Sequence, residues 1–269
     1  MSWEWDDTLF RGAAAHYQRG RLPYAPGYPE RLAALLGLDA GSRLLDVGCG
    51  PGTVALAMAP FAAEVIGLDP DDDMLAEAAR QAARRGVTNV RWVPGRAEDL
   101  PGDLGGFQAV IFAQSFHWVD RDAVAAAVLR MLPPGGAFVQ VGNVKDVPRP
   151  QYERIGELVR RYLGPVRRAG QGVLVNGTPG REDLVLARAG FVDFERHVVP
   201  AGDLIARTTD DLVAWTFSRS DSAPHLFGDR LADFERDLRA LLSADGDFAE
   251  RLPDTELRIW RRPPIRGTG

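Results

Sequence analysis

The chain is poor in the features that tie a protein to the cell exterior, a membrane or nucleic acid. It holds one cysteine, Cys49, in 269 residues. No disulfide can therefore form within it, and its thiol content does not imply an oxidising compartment. No uninterrupted apolar stretch approaches the roughly 20 residues that a bilayer-spanning helix needs. The opening Met-Ser-Trp-Glu-Trp-Asp-Asp lacks the basic start and apolar run of a secretion signal. These absences lead to the expectation of a cytoplasmic chain without a membrane partner. A basic excess is missing too. The formal net charge is -5, with a pI near 5.5, so the overall field repels polyanions. Arginines cluster at Arg167 and Arg168 and at Arg261 and Arg262, but acids surround them and no stacking aromatics interleave. They read as solvated surface, and no nucleic acid partner is expected.

What is present suits a packed domain. Hydrophobic residues make up 45% of the chain and charged residues 26%, enough for one large core with inserted helices or a small cap. From Arg43 onward, short apolar runs alternate with helical stretches. Leu44 to Val47, Val65 to Leu68, Val90 to Val93, Ala109 to Ala113 and Ala137 to Val141 read as strands buried on both faces. Between them, Val124, Ala127, Val128 and Met131 follow the i, i+3, i+4, i+7 stripe of a helix lying on a sheet. Met74, Leu75, Ala78, Ala79 and Ala82 form a weaker face that ends at Arg84, Arg85 and Gly86, a fitting helix terminus.

The first 40 residues show little periodicity beyond a short helical run from Glu30 to Leu36. After Val144 the spacing predicts helices over Gln151 to Leu163, Glu182 to Ala189 and Asp210 to Phe217. A longer one carries Leu231, Phe234, Leu238, Leu241 and Leu242. Strands are predicted around Phe194 to Val199 and Thr255 to Trp260. The expected fold is α/β: a doubly wound, Rossmann-like, mostly parallel seven-stranded sheet with helices on both faces. The late strands join that sheet, and the helices between them form a small cap over its edge. Gly164 to Gly180, rich in Gly, Pro and Arg, is expected to be a mobile loop.

The strongest local signal is Leu44-Leu45-Asp46-Val47-Gly48-Cys49-Gly50-Pro51-Gly52-Thr53, a strand entering a glycine turn that opens a helix. Glycines remove the Cβ atoms that hold a backbone away from a ligand, and a helix start presents free N–H groups. An ordinary strand-to-helix turn has the same look. Val65-Ile66-Gly67-Leu68-Asp69 adds a second buried strand ending in an acid about 20 residues on, where a carboxylate can accept hydrogen bonds from a ribose. Val93-Pro94-Gly95-Arg96-Ala97-Glu98-Asp99-Leu100-Pro101 brings backbone and carboxylates to the same crevice. A nicotinamide enzyme shares the first two features. However, its G-x-G-x-x-G ends in glycine where this chain has Thr53, and Asp46, facing the mouth of the crevice, would repel a pyrophosphate. A cationic ligand would be attracted instead.

Taken together, Leu44 to Thr53, Asp69, Ala97 to Pro101, Ala109 to Trp118 and Leu132-Pro133-Pro134-Gly135-Gly136-Ala137 resemble the successive motifs of class I S-adenosylmethionine-dependent methyltransferases. The resemblance covers roughly residues 40 to 142. Gln114-Ser115-Phe116-His117-Trp118 and the Tyr28-Pro29 region are similar to the subgroup that includes trans-aconitate methyltransferase and small-molecule methyltransferases of bacterial secondary metabolism. The resemblance implies S-adenosylmethionine as cofactor and a small-molecule methyl acceptor. Asp46 and the backbone of Gly48, Cys49, Gly50 and Gly52 would hold the methionine end, Asp69 the ribose, and Ala97 with Glu98 the adenine. Pro70 and Met74 would pack near the adenosine, with Gln114 and Ser115 beside the sulfonium. Arg96 departs from the family pattern and is expected to turn outward. Residues 1–145 would then hold an N-terminal lid segment and the cofactor-binding core. Residues 146–269 would supply the remaining strands and the helical cap that forms the acceptor pocket.

Alignment of the reactants can supply roughly 7 to 11 kcal/mol, so an acid-base residue is optional. His117, just past the fourth strand, is the first candidate for a base; the plainer reading is that His117 and Trp118 pack the adenosine or the loop. His16, Tyr17, Tyr24 and Tyr28 are candidates for the lid, with Tyr17 on the cofactor and Tyr24 and Tyr28 toward the acceptor, or else for plain interdomain packing. Trp118 and His225 complete the expected acceptor wall. Cys49 reads as a small packing residue, not a nucleophile. The acid run Asp69 to Asp73 suits a helix N-terminus, and no metal site is expected. A protein that keeps the adenosine pocket for regulation or non-methylating chemistry would share every one of these residues.

Overall fold

The computed structural model describes residues 6–144, 150–165, 180–243, 246 and 248–264. Residues 166–179, the greater part of the expected mobile loop, lie outside them. The core is a seven-stranded sheet built from β1 (Arg43–Val47), β2 (Glu64–Asp69), β3 (Val90–Pro94), β4 (Ala109–Ala113), β5 (Ala137–Asn143), β6 (Val192–Val199) and one late strand, β9 (Thr255–Arg261). Their order is β3-β2-β1-β4-β5-β9-β6. β1, β2, β3, β4 and β5 pair in parallel, and β9 runs antiparallel to both neighbours. The order reverses at β1, which pairs with β2 on one side and β4 on the other. Beyond the carboxyl ends of these two strands lies the crevice where open α/β sheets bind ligands.

The apolar runs of the sequence fill two layers because consecutive strand residues face opposite ways. Leu44, Val65, Ile111 and Val139 pack with α2 (Tyr28–Leu36) and α3 (Thr53–Met58) on one face. Their neighbours Leu45, Ile66, Val110 and Phe138 pack with α5 (Arg121–Met131) on the other. α4 (Asp72–Arg85) begins at Asp71, whose side chain accepts from the amides of Asp73 and Met74, and ends at Gly86 in the left-handed conformation. Such an N-cap contributes about 1 kcal/mol.

The cap has its own core. Ile155 and Leu158 of α6 (Pro150–Leu163) meet Leu212 and Phe217 of α8 (Thr209–Phe217) and Phe234 and Leu238 of α9 (Leu231–Ser243). Two features go beyond the sequence expectation. The helix over Glu182–Ala189, α7, is not part of the cap: its Val185 and Leu186 join α5 in the sheet core. The insertion between β6 and β9 also carries a separate antiparallel ribbon, β7 (Leu204–Arg207) with β8 (Phe248–Arg251). Four-residue strands are too short to leave a readable alternation.

A further helix, α1 (Ala14–Gly20), ties the cap to the core. Arg207, 4% exposed, donates from Nη2 to the carbonyl of Gly20 at 2.8 Å and lies 3.4 Å from Glu250 Oε2. The Tyr152 hydroxyl sits 2.8 and 2.9 Å from the two Glu250 oxygens, which anchors α6 to the same group. On its other side α1 places Ala13, Ala14 and Tyr17 against Met74 of α4.

Candidate active site

A cavity of about 1260 Å³ opens at the carboxyl ends of β1 and β4, between the sheet and the cap. Its sheet side begins at the glycine turn. Gly48 and Gly52 have φ of 65° and 79°, a region that disfavours side chains, and each is crowded. A Cβ on Gly48 would stand 2.5 Å from Ser115 Cβ, and one on Gly52 would stand 2.5 Å from Trp92 Cη2. The second contact alters the sequence reading. Gly52 faces inward onto Trp92 and not the cavity, so its lack of a side chain serves packing. Gly50 has open space where a Cβ would be and lines the cavity.

The turn's own amides are largely engaged within the fold. Gly48 and Cys49 donate to the Leu68 carbonyl, Gly52 to that of Cys49, and Gly50 to Asp69 Oδ2 at 2.8 Å. The expectation of free helix-start N–H groups is therefore corrected for these positions. What the turn offers is shape and two buried carboxylates. Asp69, 8% exposed and on the cavity wall, also accepts from the Asp71 amide through Oδ1 at 3.0 Å. A carboxylate has about four lone-pair positions, so two remain for ligand hydroxyls.

Asp46 does not face the mouth of the crevice, contrary to expectation. It is 1% exposed and stands behind the turn, where Oδ2 accepts from the Ala55 amide at 3.0 Å. Its Oδ1 is buried with no hydrogen-bond partner among the described residues. Burial pushes the Asp46 carboxyl up to about 7 and that of Asp69 up to about 6, against the pull of their backbone hydrogen bonds. A cation nearby favours the ionised form of both. The arrangement thus suits a ligand with a ribose and a positive charge.

Several other expected residues share the cavity. Pro70, Met74, Ala97, Glu98, Gln114, Ser115, His117, Trp118, Cys49, Tyr17 and Tyr24 all lie on its wall. Glu98 is already engaged: its Oε1 accepts from the Asp120 amide at 2.8 Å. Arg96 also lines the cavity and does not turn away from it. Gln114 has φ of 59°, an uncommon conformation for a side-chain-bearing residue, held at the end of β4 beside Gly142. The buried Ser115 hydroxyl donates to the Val47 carbonyl and locks that loop to β1. Burial raises the Cys49 thiol well above its usual range, which leaves it unsuited to attack as a thiolate.

Besides Asp46 and Gly52, three further residues expected at the site stand off the wall. Tyr28 is 5% exposed in the sheet core, with its ring 5.3 Å from that of Tyr24. His225 lies with Nδ1 3.0 Å from the Arg11 carbonyl, under the N-terminal segment. His16 packs on Phe217, 5.2 Å between ring centroids, and burial lowers its pKa. Conversely, the cap brings residues that sequence reasoning did not single out: Tyr152, Ile155 and Val159 of α6, Trp215 of α8, and Arg219 with Asp221 just after it. The i, i+3, i+7 spacing of the first three marks a helix face, but not what that face looks onto.

Comparison with known proteins agrees with this geometry. Residues 44–136 match the family model described as a methyltransferase domain. An uncharacterised methyltransferase of Mycobacterium tuberculosis is 34% identical over 158 residues, which span 59% of this chain and 61% of that one. Nocamycin O-methyltransferase of Saccharothrix syringae is 32% identical over 228 residues, covering 78% of this chain and 80% of that protein. The chain belongs to the class I S-adenosylmethionine-dependent methyltransferase family. Among solved structures, the YcgJ protein of Bacillus subtilis shares the fold with a TM-score of 0.54 at 19% identity, over 87% of this chain and 97% of that one. Family membership removes the nicotinamide reading of the glycine turn. Among the described residues, no helix is long and apolar enough to cross a membrane, and no group of three or more His, Cys, Asp or Glu residues is placed to hold a metal.

Proposed function

We propose that this protein moves the methyl group of S-adenosylmethionine to an oxygen, nitrogen or carbon atom of a small-molecule metabolite. The observation that carries this reading is the pair of buried acids around the glycine turn: Asp69 on the wall and Asp46, with an unpartnered oxygen, behind it. Unpaired buried carboxylates are costly, and a cationic ligand offsets that cost. When bound, the cofactor supplies a methyl group on a positively charged sulfur, activated for displacement.

The chain's own residues do the rest. Asp69 offers its remaining lone pairs to ribose hydroxyls, while Met74, Pro70 and Ala97 close around the base. Asp46 supplies negative potential through the turn. Gln114 and Ser115 end β4 where the reacting centre would lie. α1 and the cap cover the cleft and exclude water. His117 is the one histidine on the cavity wall among the described residues, and we assign it the role of taking a proton from the acceptor. A nocamycin-modifying relative supports a secondary metabolite as acceptor.

The test is ligand-induced stabilisation followed by transfer of a labelled methyl group. S-adenosylhomocysteine at about 100 times its dissociation constant is expected to stabilise by about 2.7 kcal/mol, raising Tm by roughly 5 to 10 °C, with no effect from NAD. A response to NAD and none to S-adenosylhomocysteine would overturn the reading.

A further inference from the structure

We propose that Arg21 takes the carboxylate at the amino-acid end of the cofactor, and that this contact fastens the cap over the bound molecule. The proposal rests on the reading that the glycine-turn side of the cavity takes S-adenosylmethionine.

The turn itself leaves that carboxylate without a partner. A methionine end carries an ammonium and a carboxylate, and free amides at a helix start are suited to hold the second. Here the amides of Gly48, Cys49, Gly50 and Gly52 already donate to Leu68, Cys49 and Asp69. The two acids around the turn, Asp46 and Asp69, repel an anion. A carboxylate on this side of the cavity therefore needs a cation from elsewhere.

Arg21, directly after α1, supplies one. It lines the cavity and is half-buried, yet it has no ion-pair partner among the described residues. Its Nη2 donates to the Ser218 carbonyl at 2.8 Å, and its Cζ lies 5.0 Å from the centroid of the Tyr17 ring. Nε is buried with no partner, and Nη1 donates to nothing among the described residues. A cation so far removed from water is costly until an anion meets it. Tyr24 ties Arg21 to the turn. Burial pushes the Tyr24 hydroxyl well above its usual range, Tyr17, Tyr28 and Asp46 add to the rise, and Arg21 opposes it. Asp46 and Arg21 thus act on the same hydroxyl. The other cations on the wall are placed differently: Nε and Nη2 of Arg219 are forked on Asp221, and Arg96 lies 3.8 Å from Glu98. Arg160 also has no ion-pair partner among the described residues, but it is exposed on α6, where solvent screens it.

Arg21 is also built into the cap. Its neighbour Gly20 packs so closely on α8 that a Cβ would stand 2.4 Å from the Trp215 backbone nitrogen. The Gly20 carbonyl accepts from Arg207 Nη2 at 2.8 Å, and Ser218, which accepts from Arg21, closes α8. Backbone and side chain are therefore held from the cap, while Asp69 and the turn belong to the sheet. A ligand that reaches both joins the two. One that lacks the carboxylate touches the sheet side and leaves the cap unfastened.

Calorimetry with S-adenosylmethionine and its decarboxylated analogue, which keeps the sulfonium and the amine, isolates this contact. The wild type is expected to bind S-adenosylmethionine about tenfold more tightly or better, the value of a hydrogen bond between charged groups. Arg21→Met is expected to remove that preference by weakening S-adenosylmethionine alone, and Arg160→Met to leave it in place. In hydrogen exchange, S-adenosylmethionine is expected to slow the amides of α8 about fivefold more than the analogue does, and Arg21→Met to abolish the difference. Should Arg21→Met not fold, the comparison of the two ligands on the wild type and on Arg160→Met decides. The proposal is overturned if the wild type binds both ligands equally, if Arg21→Met weakens both alike, if Arg160→Met takes the preference away, or if α8 answers both ligands in the same way. Failure of the wild type to bind either ligand removes the cofactor reading itself; binding without preference confines the failure to Arg21.

Discussion

The two sides of the cavity are made from different materials. The sheet side is backbone and loop: a glycine turn at the switch point, strand ends, and carboxylates buried to 1% and 8% exposure. The cap side is a set of helix faces carrying Tyr152, Trp215 and a forked Arg219–Asp221 pair. The first tolerates almost no added atom, since a Cβ on Gly48 or Gly52 collides at 2.5 Å. The second depends on side chains that can be exchanged without breaking a turn. A fold with this division can keep one wall of its cavity fixed while the other changes.

If that contrast is right, the largest effects come from crowding the turn. Gly52→Val would push a branched side chain into Trp92 at φ 79°. It is expected to cost about 3 kcal/mol or more in thermal or urea unfolding, from strain and overpacking together. A Gly52→Val protein as stable as the wild type would erase the distinction between the two sides.

Next comes His117, where the sides meet. His117→Ala is expected to lower turnover about 100-fold with unchanged S-adenosylhomocysteine affinity, and to remove a limb of the pH–rate profile. A profile identical to the wild type's reduces His117 to packing on Trp118, whose ring centroid is 4.7 Å away. Asp69→Ala should weaken S-adenosylhomocysteine by about 1.5 to 3 kcal/mol in calorimetry, the value of hydrogen bonds to a charged acceptor. Unchanged affinity would place the ribose elsewhere.

The smallest expected effect is on pH. Burial raises Asp46 to about 7 and Asp69 to about 6, both above the 3.8 of an exposed aspartate. The folded state then holds protons that the unfolded state has already lost, so the ligand-free protein loses stability as pH rises from about 4 to about 7. Ligand hydroxyls on Asp69 need that acid ionised, so S-adenosylmethionine binding should tighten about tenfold between pH 5 and pH 8 as Asp69 loses its proton. A pH-independent affinity would show that neither acid feels the ligand.

The same division explains what could be read from sequence. Leu44 to Thr53 and Val65 to Asp69 announce themselves because buried parallel strands and turns restrict residue type at fixed spacing. Asp46 was legible as an acid at the turn but not as one hidden behind it, because burial behind a loop leaves no periodic mark. Trp92 was missed because one tryptophan on a strand reads the same whether it fills a gap under Gly52 and Gly67 or faces solvent. Arg219 and Asp221, two positions apart after α8, carry no pattern at all. Their meaning arises only when the cap folds over the sheet. His225, by contrast, promised a pocket residue and lies against Arg11, because a histidine in a turn says nothing about which way the turn points.

The account's central claim is tested most directly by a crystal structure of the protein with S-adenosylhomocysteine. The nucleoside is expected between Gly50 and Met74, with its ribose hydroxyls on Asp69 and the wall around Arg219 left open. Ligand density away from the glycine turn, or a ribose that does not touch Asp69, would contradict it.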